Sequence, residues 1–183
     1  MPHKPEYPPL LPQGLHPKTI EELEKLCVLE FSDSQLRPEI MAGFKVLYER
    51  LVQLEVQGEL WVDGSFLTHK PEPQDIDFIV LVSHADFFAA SGARKEYFDW
   101  LIDNEDEPKR IFYCHTQLVL FAEETHPQYD SLENDKAHWR RIYGFSVTTR
   151  EPKGIAVIRL AAPPKIVSTK TPEGVKIETE APR

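Results

Sequence analysis

The chain has 183 residues, of which 41% are hydrophobic and 28% charged, enough apolar material for one packed domain with tails. Its formal net charge of −9 excludes a non-specific nucleic-acid or DNA coat, because phosphate repels such a surface. No apolar run reaches the ~18 residues of a membrane span, and no signal-peptide pattern opens the sequence, so the cytoplasm is the expected location.

Charge and proline are both uneven. Residues 1–135 carry 11 basic and 26 acidic side chains, net −15, whereas residues 136–183 carry 10 and 4, net +6. Six of the 16 prolines fall in residues 1–17 and four in residues 163–183. This predicts a Pro-rich arm over 1–17, a folded body over 18–162 and a flexible tail over 163–183. Cys27 and Cys114 lie among apolar residues and read as buried thiols of a reducing compartment.

Thr19 and Glu22 form a capping box before Ile20, Leu23 and Leu26, which predicts a short helix. Ser34 to Pro38 marks a break and a second helix start. The stripe Ile40, Phe44, Leu47, Leu51 and Leu54 then predicts an amphipathic helix ending at Gly58. A short strand over 60–63 runs into Gly64-Ser65, and a polar loop from Thr68 to Gln74 leads to an apolar strand over 75–82. Ser83 precedes a helix over 84–103 that Ser91-Gly92 can interrupt. The acidic run at 103–107 opposes a helix C-terminal dipole and is expected in a loop. A third strand is expected over 110–121, a loop over 122–132, a helix over Glu133 to Tyr143, and a last strand over Gly154 to Leu160. Together these predict an α/β (α+β) fold, a short mixed sheet with helices mainly on one face.

The chemistry concentrates in Gly64-Ser65 and, nine residues later, Asp75-Ile76-Asp77-Phe78. On a strand, positions i and i+2 share a face, so Asp75 and Asp77 project together while Ile76, Phe78 and Val80 enter the core. Two neighbouring carboxylates repel unless a cation lies between them, and Mg²⁺ takes carboxylate and phosphate oxygens. Glycine permits close backbone approach, and Ser65 offers an N–H and a hydroxyl to a phosphate. The residues read as a metal–triphosphate site. The competing reading is a hairpin whose aspartates merely solvate an edge. Asp63 reads as a turn residue.

This pattern resembles the signature of the polymerase-β-like nucleotidyltransferases, except that Asp63 fills an apolar place before Gly64. The blocks LPQGLHP, WVDGSFLT, PEPQDID, HWRRIYGF and KGIAVIRL resemble those of small bacterial minimal-nucleotidyltransferase-like proteins of antitoxin or defence type. The resemblance implies transfer of NMP, AMP from ATP foremost, to a hydroxyl of a protein or RNA acceptor. Mg²⁺ or Mn²⁺ would sit on Asp75 and Asp77, and a toxin or defence effector would be the protein partner.

The family pattern also implies a third carboxylate on a later strand. The strand over 110–121 holds no Asp or Glu, and His115 stands first for that place, with Gln117 on the same face and Glu123 and Glu124 just beyond. A neutral histidine adds no negative charge, which leaves a second reading: a fold that keeps the cleft but acts by binding a partner protein or nucleotide. The alternative for His115 is a packed strand residue. A phosphate wall is expected from Lys136, Arg140 and Arg141, whose alternative is a solvated helix face. Trp139, Ile142 and Tyr143 have core spacing.

Overall fold

The structure is a computed structural model, and it describes residues 6–104 and 106–160. Five strands form one mixed sheet in the order β1-β5-β2-β3-β4, with β1 over Gly14–Pro17, β2 over Gly58–Asp63, β3 over Ile76–Ser83, β4 over Cys114–Phe121 and β5 over Gly154–Leu160. The central strand β2 runs antiparallel to both β3 and β5, while β4 is parallel to β3 and β1 is parallel to β5.

The helices are α1 (Ile20–Glu24), α2 (Leu36–Gln53), α3 (His84–Ala89), α4 (Gly92–Asp103), α5 (Asp106–Phe112) and α6 (Tyr129–Tyr143). The Thr19 hydroxyl accepts from the Glu22 amide, and the Glu22 carboxylate accepts from the Thr19 amide, so the capping box starts α1 as expected. One π-helical turn, Lys25–Leu29, extends it.

Strand periodicity sorts the sheet into two faces. Val62, Phe78, Val80, Ala156 and Ile158 face the larger core with Ile40, Phe44 and Leu47 of α2, and Phe44 meets Phe78 edge-to-face at 5.0 Å. Trp61, Ile79, Leu81, Val119 and Ile155 face a smaller core closed by Trp139 and Tyr143 of α6. The fold is α+β, with five of the helices (α1 to α5) contributing to one core and α6 alone to the other. No helix among the described residues is long and apolar enough to cross a membrane.

The structure corrects several expected boundaries. Residues 110–112 belong to α5, and β4 begins only at Cys114, after Tyr113 turns the chain with φ 56°. Asp106 and Glu107 occupy the first turn of α5, where the dipole favours acidic side chains, so part of the acidic run starts a helix rather than filling a loop. Helix α2 stops at Gln53 rather than at Gly58, because Glu55 turns the chain with φ 55° and Gly58 already opens β2, and helix α6 starts at Tyr129, four residues before the expected Glu133. The segment read as an outlying arm is built into the body: residues 14–17 pair with β5 and Leu11 is buried in the larger core. The tail expected over 163–183 lies outside the described residues.

Candidate functional site

The antiparallel register puts Asp63 opposite Asp77, and the parallel register puts Asp77 opposite His115. Residues directly opposite share a face, so β2, β3 and β4 carry one row of three ionisable side chains. Asp75 stands one residue before β3. The expected opposite facing holds: Ile76, Phe78 and Val80 are buried in the larger core.

Gly64 follows Asp63 with φ 81°, in the region that favours glycine. A Cβ at Gly64 would lie 2.0 Å from Asp77 Oδ2, so the missing side chain leaves room for the carboxylate. Ser65 begins a short 3₁₀ turn over Ser65–Leu67, and its carbonyl accepts from the Thr68 hydroxyl at 2.8 Å. The loop is fastened from below by Arg37, which is fully buried and donates to the carbonyls of Cys27, Phe66, Thr68 and Lys70 at 2.6–2.9 Å. The Glu72 carboxylate accepts from the Gln35 and Leu36 amides at the start of α2, joining the far end of the loop to the same helix.

Each acid of the site has a basic neighbour. His115 Nδ1 lies 3.0 Å from Asp77 Oδ1, and that hydrogen bond raises the imidazole pKa against the opposing effect of burial. The His115 side chain is 45% exposed, so it is not a packed core histidine. Lys109 Nζ lies 2.7 Å from Asp75 Oδ2; this contact, with Asp77 adding to it, raises the lysine pKa. Lys153 Nζ lies 2.7 Å from Asp63 Oδ2. Burial nevertheless pushes the Asp63 carboxyl up to about 6, because it outweighs the lysine's pull and Asp77 adds repulsion. Asp63 Oδ1 is buried without a hydrogen-bond partner among the described residues. The Tyr143 hydroxyl is raised by burial first, then by the charges of Asp77 and Asp63, so α6 closes one side of the row.

Gly64, Ser65, Asp75, Asp77 and His115 therefore meet at one end of the central strands. Lys136 does not join them. It pairs with Glu133 and borders a cavity with Gly58, Phe121 and Arg159. Phe121 lies opposite Ser83, six residues along β4 from His115, or roughly 20 Å at strand rise. The expected three-residue phosphate wall is thus corrected, because the length of the sheet separates its first member from the carboxylates. Arg140 and Arg141 are exposed on α6 and make no ion pair among the described residues. Glu123 and Glu124 are exposed beyond the far end of β4 and do not complete the row. Asp63, Lys109 and Arg37 are the residues that sequence reasoning missed or read as ordinary turn groups, whereas Lys153, just before the last strand, reads from sequence either as a ligand contact or as part of an ordinary Pro152-Lys153-Gly154 turn. The unexpected Asp63 before Gly64 was the available signal, but its weight depends on the β2–β3 register.

Among the described residues, no three His, Cys, Asp or Glu side chains form a group poised to hold a metal ion. The carboxylate oxygens of Asp75 and Asp77 are nonetheless the donors a hard divalent ion takes, and Lys109 marks a place where positive charge is already accepted. Such an ion fits if Lys109 yields Asp75 and substrate oxygens or water supply the remaining ligands.

The fold and site define an α+β protein with a carboxylate–histidine row at a sheet end, beside a glycine–serine turn. Residues 2–159 match the family described as "Family of unknown function (DUF6932)", and the chain belongs to that family. No curated protein and no solved structure matches it.

Proposed function

We propose that this protein transfers a nucleoside monophosphate, AMP from ATP foremost, to a hydroxyl of a protein or RNA acceptor. The observation that carries this reading is the meeting of Gly64, Asp77 and His115 at one sheet end, with Asp75 and Ser65 beside them. Asp75 and Asp77 would hold Mg²⁺ or Mn²⁺, which supplies charge neutralisation for the phosphates and the leaving pyrophosphate. Gly64 allows close backbone approach, and the Ser65 N–H and hydroxyl are suited to phosphate oxygens.

Asp77 accepts from His115 Nδ1–H, which leaves Nε2 as the proton acceptor of the neutral ring. The acceptor hydroxyl oxygen bonds to the α-phosphorus, the bond from that phosphorus to the bridging oxygen breaks, and pyrophosphate leaves. The hydroxyl proton passes to Nε2, so His115 serves where a third carboxylate would act as base. A toxin or defence effector in the cytoplasm is the protein acceptor this reading favours, on the sequence resemblance and on the two buried thiols.

The test uses labelled ATP, CTP, GTP and UTP with Mg²⁺ or Mn²⁺ and the neighbouring gene product. Label transfer by the native chain, reduced on the order of 100-fold or more in D75A/D77A, is the expected result. The pairing of Asp75 with Lys109 and Asp77 with His115 favours a second reading, in which the cleft binds a partner or nucleotide without catalysis. Binding with no transfer to any acceptor supports that second reading and overturns the first.

A further inference from the structure

We infer that Lys109 and Lys153 are the cations that bind the polyphosphate of the substrate, one from each side of the carboxylate row. This rests on the nucleotide reading above and specifies how that site takes its substrate.

Three aspartates gathered at one sheet end repel a phosphate chain unless fixed cations accompany them. The structure supplies two that the sequence-based wall did not include. Lys109 reaches Asp75 from α5, and Lys153 reaches Asp63 from the turn before β5. Asp63 ends β2 and Asp75 stands just before β3, the strand paired with it, so the two lysine–aspartate pairs sit at the same end of neighbouring strands, where one polyphosphate can meet both.

Lys109 rises from a fixed helix, and Lys153 is mostly covered. Gly43 of α2 admits the Phe112 carbonyl of α5, Pro108 is buried, and the Trp100 indole donates to Glu107, so α5 is fixed on both sides of Lys109. The Lys153 side chain is only 13% exposed, which is rare for an ammonium and holds it close to the row. An ammonium has three N–H donors, and each of these two has one carboxylate partner among the described residues. Donors therefore remain for phosphate oxygens. Lys109 is 51% exposed and has the freedom to leave Asp75. A metal–polyphosphate complex can then exchange partners with the site: the divalent ion takes the Asp75 carboxylate, and the phosphate takes the Lys109 ammonium. Charge stays balanced throughout. The buried, unpartnered Oδ1 of Asp63 adds a hydrogen-bond acceptor beside Lys153, suited to a water or hydroxyl carried in with the substrate.

The experiment measures binding of Mg²⁺-ATP, and of inorganic tripolyphosphate without metal, to the full chain by calorimetry. K109M is expected to weaken both ligands about tenfold or more, and K136M to leave both within about twofold. Without metal, D75N should bind tripolyphosphate more tightly than the native chain, because it frees Lys109, and K109M/D75N should lose that gain. K153R keeps the charge beside buried Asp63 but alters its reach, and is expected to weaken Mg²⁺-ATP while retaining a native thermal transition. Native affinity in both K109M and K153R, or a loss in K136M instead, overturns the inference and leaves the nucleotide reading intact. A native chain that binds neither ligand overturns both.

Discussion

At the scale of single residues, Gly64 joins backbone geometry to chemistry. Its φ of 81° is costly for any residue with a Cβ, and the place where that Cβ would go is 2.0 Å from Asp77 Oδ2. Gly64→Ala is therefore expected to lower stability by about 1–3 kcal/mol from the backbone alone, read as a shifted urea midpoint. It should also push the Asp77 carboxylate off His115, so nucleotide binding falls more than stability does. A variant with unchanged midpoint and unchanged binding would contradict this. Gly64, Ser65, Asp75 and Asp77 were legible in the sequence because the constraint is local: a strand end, a turn and an i, i+2 pair. His115 was legible as a position, since it was the leading alternative to an absent acid. Asp63 was not, because its importance comes from lying opposite Asp77 across a register that a single strand does not reveal. Lys109, and the pairing of Lys153 with Asp63, were hidden for a related reason: each lysine acts across a gap to a carboxylate far away in the chain.

At the scale of elements, the site depends on how α5 is seated. The residues Ile111, Phe112 and Tyr113 have strand-like composition and merge in sequence with β4, so the expected strand ran from 110. The break is Tyr113, a non-glycine residue at φ 56°, which no glycine or proline announces. Helix α5 then packs against α2 at Gly43, where a Cβ would come within 2.1 Å of the Phe112 carbonyl oxygen. Alanine is the better helix former by about 1 kcal/mol, so propensity alone favours Gly43→Ala. The clash is with backbone and cannot be relieved by a rotamer. We expect the clash to win, with a net loss of about 1–3 kcal/mol in urea unfolding. We also expect weaker tripolyphosphate binding, because α5 carries Lys109. A stabilised Gly43→Ala chain would mean that α5 moves freely on α2. The larger core itself was legible: the α2 stripe Ile40, Phe44, Leu47 and Leu51 is buried where its spacing put it.

At the scale of the whole molecule, the N-terminal segment is a working edge of the sheet. Prolines suggested a segment outside the body, yet their fixed φ and missing N–H are tolerated on an edge strand, and β1 is one. The Gly154 amide donates to the Leu11 carbonyl, and the Lys18 amide to the Val157 carbonyl, so this segment grips β5 at both ends of β1. Further out, the Glu6 carboxylate accepts from the amides of Thr148 and Thr149 and from the Thr149 hydroxyl. Those bonds, the Thr148 amide first, hold its carboxyl down at about 2 against an ordinary 4.5. A lowered folded-state pKa means that the contact stabilises fully above pH 4.5 and loses its effect as the pH falls toward 2. The Glu6 contact also closes the 144–153 turn, which returns through the Lys153 amide to the Gly144 carbonyl and so carries Lys153 to Asp63. The expected outcome is that amide-exchange protection at Thr148 and Thr149 decays through this acid window in the native chain. In Glu6→Gln the protection should be low already at neutral pH and show no such transition, because a neutral amide is the weaker acceptor. Equal protection in the two proteins across the window would detach the N-terminal segment from the turn, and with it the structural link from the first described residue to the proposed phosphate-binding lysine.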